Sequence, residues 1–196
     1  MSEEIEAKVR IGDPEAFRRQ MAARGFACEG TVFEVNRLFD DAEGGLRRRN
    51  CAVRIREERC PDTGRVLATR LTYKGPRVPG PLKRRPEYET TVGSAEPLVA
   101  LFREIGLCES FRYEKRRTAW RAGACEVTLD EVPHLGWFAE VEGPSEEAVW
   151  ARLADLGLDG EPTLSRSYVH LLAKHLESAG RDPTRAVFDD RPPGAG

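Results

Sequence analysis

The sequence predicts an α+β protein, an antiparallel β-barrel with a few helices packed outside it. Two observations predict this. Many short segments alternate apolar and polar residues and are joined by hairpin-length connections. Four longer segments carry apolar residues at helical spacing, as helices that cover a sheet must. The order read along the chain is β-α-β-β-β-β-α-β-β-β-α-α.

Residues 3–11 alternate strictly, with Glu4, Glu6, Lys8 and Arg10 on one side and Ile5, Ala7, Val9 and Ile11 on the other. Asp13-Pro14 then opens a helix, with Asp as N-cap and Pro in the first turn. Phe17, Met21 and Ala22 form its apolar stripe and Gly25 ends it. Residues 26–39 read as one strand or two short pieces. The stretch from Asp40 to Asn50, with Gly44-Gly45 and three consecutive arginines, reads as an exposed loop. Strands follow at 51–58 and 66–74, linked by a turn carrying Pro61, Asp62 and Gly64. Residues 75–84 (GPRVPGPLKR) are too rich in Pro and Gly for a regular element and are expected to form a mobile loop, a flap at a tunnel mouth. Alternation resumes at 85–92. Residues 94–105 form an amphipathic helix with Leu98, Leu101, Phe102 and Ile105 on one face. Strands recur at 111–121, 124–132 and 136–142. Helices are expected at 146–156 and 165–178, the last placed to cover one end of a barrel. The domain spans residues 1–178. The tail, 179–196, is expected to be poorly ordered.

With 31 basic and 33 acidic residues the net charge is -2, which excludes a generally basic nucleic-acid binder. No apolar run approaches the roughly 18 residues that a membrane span needs, and the N-terminus lacks a signal-peptide core, so a cytoplasmic protein is expected. The five cysteines show no CxxC pair and the three histidines no metal-ligand spacing. Both sets read as ordinary packing or surface residues.

The informative feature is that strand after strand puts its charges on one face. Arg54, Arg56 and Glu58 alternate with Val53 and Ile55. Arg70, Thr72 and Lys74 alternate with Leu71 and Tyr73. Arg85, Glu87 and Glu89, then Lys115 and Arg117, then Glu126, Thr128 and Asp130, and finally Glu140 and Glu142 continue the pattern. Two geometries explain it. The charged faces are solvated outer faces, or they line a barrel whose apolar faces point outward under the helices. A charged interior needs acids, bases, water or ligand to pair with it, and would suit a polyanion chelated with a divalent cation.

Glu4-Ile5-Glu6-Ala7-Lys8 resembles the ExExK signature of the CYTH superfamily, the triphosphate tunnel metalloenzymes. Further family-like segments follow in order: VRIRE at 53–57, LTYKGP at 71–76, RPEYE at 85–89, YEKRR at 113–117, TLDEVPHLGWFAEVEG at 128–143 and SRSYVHLL at 165–172. The similarity covers roughly residues 3–176 and is greatest to the class IV adenylate cyclase branch. It implies a closed eight-stranded antiparallel tunnel. It implies that Glu4 and Glu6, with Glu140 or Glu142, hold Mg²⁺ or Mn²⁺. It implies that Lys8, Arg54, Arg56, Lys74, Lys115 and Arg117 bind a triphosphate, and it makes Asp130, Lys74 and Lys115 the candidate catalytic residues. Arg85, Glu87 and Glu89 would balance the lumen's charge. The partner is ATP or another triphosphate, not nucleic acid or membrane, and a homodimer is allowed. Many relatives carry a Tyr in the second strand. Here Asn36-Arg37-Leu38-Phe39-Asp40 lacks it, and with it the hydroxyl linked to a catalytic Lys in some triphosphatases. The resemblance leans to conversion of ATP to cyclic AMP and pyrophosphate. The alternatives are an inorganic or thiamine triphosphatase and a non-catalytic polyphosphate- or nucleotide-binding module. Trp120 and Trp137 are candidates to stack a base, against ordinary packing.

Overall fold

In the computed structural model, which describes residues 2–194, β1 (Ser2–Ile11) runs antiparallel between β5 (Lys83–Val92) and β8 (Gly136–Glu142). From β5 the sheet continues through β4 (Val66–Lys74) and β3 (Ala52–Arg59) to β2 (Ala27–Asp40). From β8 it continues through β7 (Cys125–Val132) to β6 (Cys108–Ala122). The long pairing of β2 with β6, from Ala27↔Arg121 to Asp40↔Cys108, closes the circle of eight strands. Closure leaves no edge and gives every inner position a fixed set of neighbours.

The strict period of two in β1 explains its place in the wall. Ile5, Ala7, Val9 and Ile11 point outward into a core completed by α1 (Pro14–Ala23) and α4 (Glu146–Asp155). Val9, Met21, Val127, Leu129, Val141, Val149 and Leu153 are fully buried there. Each contributes about 1.5–3 kcal/mol against exposure. Asp13 caps α1 by accepting from the Ala16 amide at 2.9 Å, and Ser145 caps α4 from the Ala148 amide at 3.2 Å. On the opposite side α3 (Glu96–Glu104) lays Phe102 onto Phe39 and Ile55.

The apolar residues do not all face outward. At one end of the barrel the inward side chains become apolar, with Phe111, Tyr113, Val132 and Phe138 packed against Tyr168, Leu172 and Leu176 of α5 (Tyr168–Ser178). This helix therefore plugs that end, as expected for the last helix. The barrel stays open at the other.

Three expectations are corrected. Residues 40–50 hold a one-turn helix, α2 (Gly45–Arg48), because the Asp40 carboxylate accepts the Leu46 and Arg47 amides at 2.8 and 3.1 Å. The 75–84 segment is anchored: Val78 bridges Arg84, Leu82 is buried in the outer core, and Lys83 and Arg84 already belong to β5.

The tail packs as far as it is described. β9 (Arg185–Ala186) pairs in parallel with β6, and Phe188 covers Phe33 and Val35. The Phe188 amide donates to buried Glu114 at 2.9 Å, and Asp190 pairs with Arg116 at 3.0 Å. The strap ends against the β3–β4 hairpin, where Arg59 donates to the Gly194 carbonyl at 2.7 Å. Gly64 permits that approach: its φ is +70°, and a Cβ there would fall 1.6 Å from the Pro193 carbonyl oxygen. Residues 195 and 196, part of the tail expected to be poorly ordered, lie outside the described residues. Among the described residues no helix is long and apolar enough to cross a membrane.

Candidate functional site

The inward face above the α5 plug is almost wholly charged, as the alternation allowed. Glu4, Glu6 and Lys8 come from β1, Arg54 and Arg56 from β3, Lys74 from β4, Lys115 and Arg117 from β6, Asp130 from β7, and Glu140 from β8. Of these, Glu4, Arg54, Arg56, Lys74 and Arg117 line a cavity of about 410 Å³ that opens away from α5. Glu34 and Glu142 line it too, with Glu58, Arg70 and Glu126 also on its wall.

The deepest layer is an ion-pair network. Asp130 is fully buried and accepts from four donors: Lys115 at 3.1 Å, Arg117 twice at 2.7 Å, and the Tyr168 hydroxyl at 3.0 Å. Arg117 also pairs with Glu140. Lys8 sits 3.1 Å from Glu140 and 3.9 Å from the centre of the Tyr168 ring. Glu34, also fully buried, faces Arg56 at 3.3 Å, Lys115 at 3.4 Å and Arg117 at 3.7 Å. Isolated buried charges would each cost several kcal/mol, so this layer stands only because each charge is matched. Burial alone would raise the carboxyls of Glu34 and Glu140. Arg56, Lys115 and Arg117 around the first, and Lys8 and Arg117 around the second, hold both well below the carboxylate range. Burial and the adjacent Asp130 raise the Tyr168 hydroxyl well above its ordinary value.

Above this layer Glu4, Glu6 and Glu142 each offer a carboxylate oxygen, and these atoms lie within 4.8 Å of one another. Lys83 bridges Glu4 at 3.2 Å and Glu6 at 2.6 Å, and Lys74 bridges Glu4 at 2.6 Å and Glu87 at 2.8 Å. The three carboxyls diverge. Burial opposes ionisation of Glu4, but Lys83 and Lys74 overcome it and hold the group far down. Burial pushes Glu6 up, and Glu140 and Glu4 add to it. Glu142 is exposed at the rim, yet the protein packed around it raises its carboxyl to about 7, reinforced by Glu4 and Glu6. The donor set is all hard oxygen, and Glu4 Oε2 is buried without a hydrogen-bond partner. Such a cluster fits a divalent cation of the Mg²⁺ or Mn²⁺ type.

The structure sorts the candidate residues by depth. Arg54, Arg56, Lys74 and Arg117 reach the cavity. Lys8, Lys115, Asp130 and Glu140 lie beneath it, and Glu140 joins the cations rather than the carboxylate trio. Glu87 and Glu89 balance Lys74, Arg70 and Arg54, while Arg85 turns away to the Gly75 and Asn50 carbonyls. Neither tryptophan enters the lumen: Trp120 packs edge-on to Phe17 and Trp137 lies under Arg18. Sequence reasoning missed Glu34, Lys83 and Tyr168. Glu34 follows from alternation with Asn36 in β2, and Tyr168 stands in the SRSYVHLL segment. Lys83 was hidden in the Pro- and Gly-rich stretch.

Comparison with known proteins is consistent with this geometry. The family model described as the CYTH domain matches residues 2–168. A Methanocaldococcus jannaschii protein, named as a candidate adenylate cyclase, is 30% identical over 139 residues, which is 71% of this chain and 75% of that protein. The PH1819 protein of Pyrococcus horikoshii superposes with a TM-score of 0.75 at 25% identity, covering 87% of this chain and 98% of that one. A Hippeastrum adenylyl cyclase candidate, described as revealing a dominant triphosphatase activity, shares the fold at a TM-score of 0.65 and 21% identity, covering 91% of this chain and 97% of that one.

Proposed function

The chain belongs to the CYTH family, and we propose that it is a divalent-metal-dependent enzyme acting on a triphosphate held in the barrel lumen. The reaction we assign is that of a class IV adenylate cyclase, in which the ribose 3′-oxygen of ATP attacks the α-phosphorus and pyrophosphate leaves. One observation carries the reading. Five cations, Arg54, Arg56, Arg70, Lys74 and Arg117, line a cavity that Glu4 and Glu142 of the carboxylate trio also line, with Glu6 clustered beside them. A site for a phosphate chain alone would need the cations and not the acids.

Glu4, Glu6 and Glu142 would hold a divalent cation, which when bound would supply charge neutralisation for the phosphates. The chain's own residues bind and orient. Arg54 and Arg56 present guanidinium groups suited to paired phosphate oxygens. Arg117 is aimed in advance by Asp130 and Glu140, so little reorganisation accompanies binding. Lys74 joins the phosphate side to Glu4. Lys8 and Lys115 raise the positive potential from below. Asp130 reaches no cavity surface and is saturated by its four donors, so its role here is to position Lys115 and Arg117. Phosphoryl and nucleotidyl transfer need little beyond such positioning and charge stabilisation.

A second reading, hydrolysis of an inorganic or organic triphosphate, is favoured by the lack of an aromatic side chain among the residues lining the cavity, and the Hippeastrum relative bears a name of that kind. Product analysis decides. Protein with Mg²⁺ or Mn²⁺ is given ATP, tripolyphosphate or thiamine triphosphate in parallel. Cyclic AMP with pyrophosphate supports the cyclase. Orthophosphate without cyclic AMP overturns it for the hydrolase. Metal-dependent binding without turnover overturns both for a binding module.

A further inference from the structure

We propose that Lys83 is a built-in counter-cation of the carboxylate cluster and sets its affinity for a divalent cation. The inference rests on the metal reading above. Lys83 opens β5 and stands in register opposite Glu6 of β1. Its ammonium lies 2.6 Å from Glu6 Oε1 and 3.2 Å from Glu4 Oε1. Among the described residues it is the only ion-pair partner of Glu6, whereas Glu4 also has Lys74. Its side chain is only 10% exposed, and it does not line the cavity. It therefore faces the carboxylates and not the space for phosphate.

The ammonium is also held in place. On one side Leu82 is buried in the outer core. On the other Arg84 pairs with Glu3 at 2.8 Å and bridges Val78. Three carboxylates within 4.8 Å repel one another, and a fixed positive charge between two of them keeps the cluster assembled before any metal arrives. The same charge repels an incoming dication. Lys83 touches Oε1 of Glu4 and leaves Oε2 without a partner, so the cluster keeps a free donor while its negative charge is reduced. Lys83 is in this sense a positioning residue that holds metal affinity down.

The test is Mn²⁺ binding to the full chain, read from the free-ion electron paramagnetic resonance signal and from calorimetry, without substrate. It is run at about pH 8, above the Glu142 value of about 7. Wild type is compared with Lys83→Met, Lys83→Gln and Lys83→Arg. Met and Gln should bind Mn²⁺ at least about tenfold more tightly, because one repelling charge is gone from the first contact shell of two ligands. Arg should stay near wild type. If Met misfolds by circular dichroism, Gln carries the comparison. Unchanged or weaker binding by the folded neutral variants, with wild type binding normally, overturns the role of Lys83 alone. Failure of wild type to bind Mn²⁺ overturns the metal reading and this inference with it.

Discussion

Asp130→Asn should cost the protein about 4 kcal/mol of stability. The carboxylate is fully buried and compensates Lys115 at 3.1 Å and Arg117 through two bonds of 2.7 Å. Asparagine keeps the shape and removes the charge. Two cations are then left facing each other with only Glu34 and Glu140 to balance them. Breaking a buried pair by removing one partner costs about 3–5 kcal/mol, because the survivor keeps its desolvation penalty. The bond from the Tyr168 hydroxyl becomes a neutral one, which adds a smaller loss. For a domain of this size that sum lowers the melting temperature by about 10 °C. Urea unfolding followed by circular dichroism measures it. Tripolyphosphate should restore more stability to the variant than to wild type, since the ligand supplies the missing negative charge. A loss below about 1 kcal/mol would mean that Asp130 does not compensate the buried charge of Lys115 and Arg117. So would a tripolyphosphate effect no larger in the variant than in wild type.

Other outcomes follow from the same geometry. Glu4→Gln with Glu6→Gln should abolish turnover while metal-independent binding of tripolyphosphate persists, as equilibrium dialysis would show. Phe188→Ala should destabilise the domain by about 3 kcal/mol in chemical denaturation, because the ring covers Phe33 and Val35. Glu142 and Glu6 have folded-state carboxyls raised above their unfolded values. They favour the fold fully below the unfolded carboxylate range and lose that contribution as pH rises through the folded values, for Glu142 about 7. Metal-free protein should therefore lose melting temperature between about pH 5 and 8, and added Mg²⁺ should recover more of it at the upper end. Glu142→Gln should flatten the decline.

Much of the barrel was legible because alternation is a local property. Glu4, Glu6 and Lys8 against Ile5, Ala7 and Val9 define two faces of β1 without any tertiary knowledge. Which face turns inward was not legible from that pattern, since helices must cover an apolar face in either geometry. Closure is written in the pairing of β2 with β6, residues far apart in the chain. The same limit hid the apolar plug. Phe111, Tyr113 and Phe138 share the inward face of the charged residues, and only α5 packed into the barrel end explains them. Elements fixed by a single tertiary contact escaped altogether. α2 depends on the Asp40 carboxylate, and β9 is two residues held by β6. Lys83 escaped because a Pro- and Gly-rich context signals a loop, while the register of β1 with β5 places that residue beside Glu6. The layering of the site was beyond sequence too: Asp130 and Glu140 alternate like the cavity-lining residues, and only their partners show that they lie beneath them.

A crystal structure of the protein soaked with Mn²⁺ and a non-hydrolysable triphosphate, with the ion located by its anomalous signal, tests the metal site and the phosphate seat together. Mn²⁺ should lie among Glu4, Glu6 and Glu142, and the phosphate chain against Arg54, Arg56, Lys74 and Arg117. An ion bound away from that cluster, or a triphosphate seated outside the lumen, would contradict this placement.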